Sequence, residues 1–235
     1  MVAVDPGAGP CQLQGVIRAD DLEVAFGRQG GAETLALGTL HLQDGERACV
    51  VGGSGSGKTT LLHVLAGIVS PTKGRVRHGQ TDLFALREAA RDRFRARKIG
   101  YVFQTAQLLQ GLSALENVAL AATLAGQRDA RSRAAAILKR VELDHRLGSR
   151  PATMSVGEQQ RVGIARALVT EPEVVLADEP TASLDERRSG EVLDLLDEVV
   201  AEAGATLLLV THEPRVRDRF ERVLSLDEGP LEAGA

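Results

Sequence analysis

Hydrophobic and polar residues alternate along this chain in blocks of two kinds. Short apolar runs at 47–51 (RACVV), 99–103 (IGYVF), 173–177 (EVVLA) and 205–210 (ATLLLV) have the length and unbroken character of strands buried on both faces. Between and after them, helical patterns run at about 58–68, 83–97, 114–125, 129–142, 157–170 and 186–203. Buried strands interleaved with helices predict an α/β fold with a mainly parallel sheet. The opening stretch, 16–46, is different: its shorter alternating pieces (VIRADDLEVAF, TLHLQDGE) predict an N-terminal antiparallel β subdomain. Residues 105–165 carry no clear strand and read as an α-helical subdomain inserted into the α/β core. This divides the chain into a tail at 1–15, one domain at 16–230 and a short tail at 231–235.

Composition narrows the class without choosing a function. The 235 residues carry 28 Lys+Arg against 32 Asp+Glu, a formal charge of −4, and lack the basic excess of a nucleic-acid binder, so no nucleic-acid partner is expected. Cys11 and Cys49 fit no metal-ligand spacing. Cys49 lies in an apolar run, so a buried, reduced thiol is expected, in a reducing compartment. No apolar run reaches the length of a membrane-spanning helix, and MVAVDPGAGP lacks the basic start and apolar stretch of a signal peptide. The expectation is a cytoplasmic protein that sits against a membrane through a partner. The Arg-rich stretch 87–98 (REAARDRFRARK) has six basic residues and two acids. It reads as a solvated helix face, with contact to acidic lipid headgroups as the alternative.

The candidate chemistry begins where the first parallel strand ends. Gly52, Gly53, Ser54, Gly55, Ser56, Gly57, Lys58 and Thr59 satisfy G-x-x-x-x-G-K-[ST] between an apolar run and a helical pattern, the context that a phosphate loop needs. Glycines let backbone N–H groups turn toward phosphate oxygens, and the helix start adds a favourable field. Lys58 is placed to reach the β- and γ-phosphates, and the Thr59 hydroxyl to hold Mg²⁺. A second element, EVVLADEPTASLD, brings Asp178 to the carboxyl end of a buried strand, where it suits the Mg²⁺ shell. Glu179 follows, suited to polarise a water against the γ-phosphate. His212 closes ATLLLVTH and Gln104 closes IGYVFQ at the same sheet edge, where the Gln104 amide is placed to sense metal and water.

With these pieces in order, the chain resembles the nucleotide-binding subunit of an ABC transporter over about 16–230. GGSGSGKTT, which adds Thr60, looks like Walker A; YVFQ looks like the Q-loop; MSVGEQQRVGIARAL looks like the signature. VVLADEP is similar to Walker B with its catalytic glutamate, ASLD to the D-loop and THE to the switch-histidine segment. Phe26, in EVAFG, matches the aromatic residue that stacks on adenine. The resemblance implies ATP and Mg²⁺ as ligands and two subunits closing head to tail on two ATP molecules. Ser155, Gly157 and Glu158 of one subunit would then contact the ATP held by the other, and Asp185 would couple the two sites. LADEPTASLD and IGYVFQTAQLLQGLSALENVAL further resemble the branch serving lipoprotein release and macrolide or peptide export, whose members pair with separate permeases. The implied function is ATP hydrolysis driving export or extraction of an amphiphilic substrate, with the permease docking near 105–117. A cell-division-type ATPase that signals across the membrane without transport is the alternative. A soluble ABC protein acting on ribosomes or DNA fits poorly, for the chain has neither a second cassette nor long heptad coils.

Val156 stands where the signature usually has glycine. Ser155-Val156-Gly157-Glu158 also fits S-x-x-E, a capping box that opens a helix with Val156 as its first residue. At that position φ is ordinary and negative, so valine is expected to be tolerated and the site to work, with a slowed or asymmetric ATPase as the alternative.

Overall fold

A computed structural model of the protein describes residues 16–26 and 33–232. Two sheets organise it. In the first, β1 (Ile17–Phe26) is flanked by β2 (Glu33–Leu42) and β4 (Lys73–His78), both antiparallel to it, and β5 (Thr81–Asp82) follows at the edge. In the second, the order is β6-β7-β8-β3-β9 and every neighbouring pair is parallel. These strands are β3 (Arg47–Val51), β6 (Ile99–Val102), β7 (Val174–Asp178), β8 (Thr206–Thr211) and β9 (Arg222–Ser225). The helices are α1 (Lys58–Leu65), α2 (Glu88–Lys98), α3 (Ala114–Leu124), α4 (Ala130–Arg140), α5 (Val156–Leu168), α6 (Glu186–Glu202) and the short α7 (Pro214–Arg217).

The parallel strands are largely apolar because they are buried on both faces. Side chains alternate between two cores. Val175, Ala177, Leu207, Leu209 and Cys49 point into a core shared with α3, α4, α5 and α6. Val174, Leu176, Leu208, Val210 and Val50 point into the other, against α1 and the antiparallel sheet. Burial pushes the Cys49 thiol up to about 12, so this cysteine is inert packing.

Between β6 and β7 lie α3, α4, two 3₁₀ turns and α5, the helical insertion that the sequence predicts. Its last helix returns tightly onto the parallel sheet. A Cβ on Gly100 of β6 would lie 2.5 Å from the Ala167 carbonyl oxygen, so glycine is required where α5 crosses the strand.

Three strands escape the hydrophobic pattern. In β4 (KGRVRH) only Val76 and His78 are buried; the remaining positions are half-buried or exposed and mostly basic. β9 is four residues at a sheet edge, and β5 is only two. The predicted helix at 83–97 also starts late. Asp82 Oδ1 accepts from the Phe84 and Ala85 amides, forming a turn that holds the chain out of helical geometry until Glu88.

Candidate active site

The carboxyl ends of β3, β6, β7 and β8 converge on one cleft of about 700 Å³. Its floor is the loop between β3 and α1. Gly55 and Gly57 adopt left-handed φ of 83° and 98°, and a Cβ on Gly57 would come within 2.6 Å of the Leu35 side chain on β2. A Cβ on Gly52 would meet Ser56 Oγ at 2.3 Å. The loop therefore closes on itself, with the left-handed positions taken by glycine.

Lys58 is the first residue of α1 and only 7 % exposed. Its ammonium donates to the carbonyls of Gly52 (2.6 Å) and Gly53 (2.8 Å) and lies 3.4 Å from Glu179 Oε1. A buried cation needs such partners, and these orient it toward the cleft before any ligand arrives. The side chain of Thr59 neighbours Asp178, the last residue of β7. Burial pushes the Asp178 carboxyl above its usual value; the nearby Thr59 hydroxyl opposes this shift and the neighbouring Glu179 charge adds to it.

Glu179 leaves the strand with φ 42°, a left-handed conformation unusual for this residue type, held by its N–H donating to the Val210 carbonyl (2.9 Å). Its second carboxylate oxygen lies 2.9 Å from His212 Nδ1, just beyond β8. Gln104, two residues beyond β6, lines the same cleft, as do Gly53, Ser54, Gly55, Gly57, Thr60 and the unanticipated Thr34 and Leu35 of β2. The backbone of Phe26 closes β1 opposite Glu33; its side chain lies outside the described residues. Lysine, two carboxylates, histidine and a glycine-rich loop form a set suited to gripping a polyphosphate and activating water against it.

Ser155, Gly157, Glu158 and Asp185 lie elsewhere. Ser155 caps α5: its Oγ accepts from the Glu158 amide (3.2 Å), and Glu158 Oε2 accepts from the Ser155 amide (2.8 Å). Arg146 Nε donates to the other oxygen of Glu158 (2.8 Å), and the backbone and arginine bonds together hold that carboxyl below its usual range. Val156 is 51 % exposed and occupies the first helical turn, as the capping box predicts. A Cβ on Gly157 would touch only Arg188, at 3.9 Å, so packing within this chain does not require that glycine. Asp185 caps α6, accepting from the Arg188 amide (3.0 Å).

The profile described as "ABC transporter" matches residues 38–182. The lipoprotein-releasing system ATP-binding protein LolD of Chromohalobacter salexigens is 44 % identical over 212 residues, covering 88 % of this chain and 90 % of the relative. The chain belongs to the ABC transporter family. LolD of Pseudomonas fluorescens is 46 % identical over 197 residues, with 83 % of this chain and 86 % of the relative covered. The ABC transporter ATP-binding protein YtrE of Bacillus subtilis is 40 % identical over 210 residues (88 % and 91 %). Among solved structures, the dimeric post-hydrolysis state of the ATP-binding cassette MJ0796 bound to ADP and Pi superposes with a TM-score of 0.82 at 33 % identity, covering 92 % of this chain and 96 % of that one. The protein is thus an ATP-binding ATPase of this family with a P-loop NTPase fold, and it resembles the lipoprotein-releasing branch as its sequence implies.

Two side chains of the signature helix have a role that the motif alone does not disclose. Gln160 Nε2 donates to the Phe103 carbonyl (2.9 Å), and Arg166 donates to those of Ala106 (2.7 Å) and Gln107 (2.9 Å). The side-chain amide of Asn117, 2 % exposed, accepts from the Leu109 N–H through Oδ1 and donates through Nδ2 to the Leu109, Leu112 and Ser113 carbonyls. The segment after Gln104 is therefore fastened at both ends.

Proposed function

We propose that the protein powers a separate membrane permease as one of two identical ATPase subunits, driving export or extraction of an amphiphilic substrate such as a lipid-anchored protein. The observation that carries this reading is a division of the phosphate chemistry. Lys58, Thr59, Glu179 and His212 line one cleft, whereas Ser155 and Gly157 line another, of about 240 Å³. Two copies arranged head to tail bring the missing half to each. The dimeric state of the MJ0796 cassette supports pairing of two cassettes, and the names of the LolD relatives support a role in lipoprotein release.

In this arrangement Lys58 grips the β- and γ-phosphates from its preset position. Glu179 accepts the proton of the attacking water, with His212 holding the carboxylate in place. Thr59, Asp178 and Gln104 present hydroxyl, carboxylate and amide oxygens, a hard donor set with few carboxylates, which fits Mg²⁺ shared with phosphates. The ion would neutralise charge developing on the phosphates. The partner's Ser155 hydroxyl and the N–H groups opening its α5 close on the γ-phosphate, and Asp185 spans the two sites.

A groove of about 530 Å³ between α2, α3 and α5 includes the exposed Ile68 and Leu124, and Arg166, which also lines it, holds the Ala106 and Gln107 carbonyls of the segment 105–117 beside it. We assign permease docking to this face. Among the described residues no helix is long and apolar enough to cross a membrane, which accords with a separate permease and a peripheral position on the cytoplasmic side.

Two experiments test the proposal. Glu179→Gln is expected to lower turnover about 10²–10⁴-fold, the range for a general base, and to accumulate as a dimer in saturating ATP, read by light scattering. A strictly monomeric variant under those conditions refutes the sandwich. Purification of the tagged subunit from membranes is expected to bring down a permease, and the reconstituted pair to release a lipid-anchored protein from vesicles. ATP turnover with no release would favour the signalling alternative.

A further inference from the structure

The C-terminal segment following β9 reaches back to the phosphate loop. The Leu226 amide donates to the Val51 carbonyl (2.9 Å), and Asp227 Oδ1 accepts from the Gly53 amide (2.7 Å). Four residues on, Leu231 bonds β2 on both sides: its amide donates to the Leu37 carbonyl (3.0 Å), and its carbonyl accepts from the Thr39 amide (2.7 Å). This approach is close enough that a Cβ on Gly38 would lie 2.2 Å from the Leu231 oxygen. Residues 226–231 thus tie the phosphate loop to the sheet that supplies Thr34 and Leu35 to the opposite wall of the cleft.

Gly53 is the point where this tie meets the chemistry. Its carbonyl accepts from Lys58 Nζ (2.8 Å) and from the Ser56 amide (3.3 Å), while its N–H is held by Asp227. A glycine has no side chain to restrict its φ and ψ, so its peptide orientation needs an outside anchor. Asp227 is itself exposed, and the contact of its carboxylate with the phosphate loop is this bond to the Gly53 amide. Two hydrogen bonds in series therefore connect Asp227 to the lysine ammonium.

We propose that Asp227 is a positioning residue for ATP: by fixing Gly53 it presets Lys58 and the first turn of the phosphate cradle, reducing the ordering required when nucleotide binds. This rests on the cleft being the ATP site. A wild-type protein that binds no ATP defeats that reading, whereas the comparison of variants tests only Asp227.

The test measures ATP affinity by displacement of a fluorescent nucleotide and steady-state ATPase kinetics on the full chain. Asp227→Ala is expected to raise KM and Kd for ATP about three- to tenfold, the scale of the net contribution of one ordinary hydrogen bond, with kcat within about twofold. Asp227→Asn keeps an acceptor oxygen and is expected to restore most of the affinity. The unliganded melting temperature should differ little among the three proteins. Unchanged ATP affinity in Asp227→Ala overturns the proposal. So does an Asn variant as weak as the Ala variant, or an affinity loss accompanied by a large drop in unliganded melting temperature, which would mark general structural support.

Discussion

Replacing Val156 by glycine asks whether the departure from the usual signature impairs the motor. The side chain is about half exposed on the first turn of α5, so its removal forfeits roughly half the transfer energy of a buried valine, about 0.7 kcal/mol. Glycine adds a helix-propensity cost of at most about 0.4 kcal/mol relative to valine, less at a helix end. The sum, about 1 kcal/mol, lowers the melting temperature by roughly 2–4 °C for a domain of this size. The Ser155–Glu158 capping box does not involve the Val156 side chain, so the amides that open α5 keep their direction. Phosphate release at saturating ATP should therefore stay within about threefold of the parent. A gain of tenfold or more, equivalent to about 1.4 kcal/mol of barrier, refutes the argument by showing that the valine obstructs the closed state.

Two other perturbations probe opposite ends of the site. Lys58→Ala removes the ammonium held by the Gly52 and Gly53 carbonyls, and nucleotide should then no longer raise the melting temperature; a persisting shift would place the phosphates elsewhere. Glu158 has a depressed folded-state pKa, so its contribution is complete above its unfolded value of about 4.3 and is lost as pH falls through the folded value. Denaturant titrations should show Glu158→Gln less stable than the parent at pH 7, with the gap closing well below pH 4; a gap independent of pH would contradict the assignment.

How legible each part was in the sequence follows from how many constraints act on it. Strands β3, β6, β7 and β8 were visible within a residue because burial on both faces leaves mostly apolar side chains between their ends. Strands β4 and β9 were invisible, since an edge or half-exposed strand tolerates arginine, lysine and serine. The loop at 52–59 was legible because its glycines answer to backbone geometry, which few other sequences satisfy. Asp227 was not: its partner is a backbone amide 174 positions away, and no spacing rule connects a surface aspartate to Gly53. Gln160 and Arg166 were hidden in the same way, because their partners are backbone carbonyls of 103–107, distant in the chain.

The left-handed backbone of Glu179 has a consequence for anyone seeking a hardier version of this protein. That conformation costs an ordinary side chain on the order of 1 kcal/mol or more, whereas glycine adopts it freely. Glu179→Gly sheds that strain, and the Lys58 ammonium it leaves still has two carbonyl acceptors. A library sorted by heat resistance alone is therefore drawn toward losing the carboxylate to which we assign the proton of the attacking water. Selection for durability and selection for work pull apart at this one position, and a screen must read ATP consumption to keep them together.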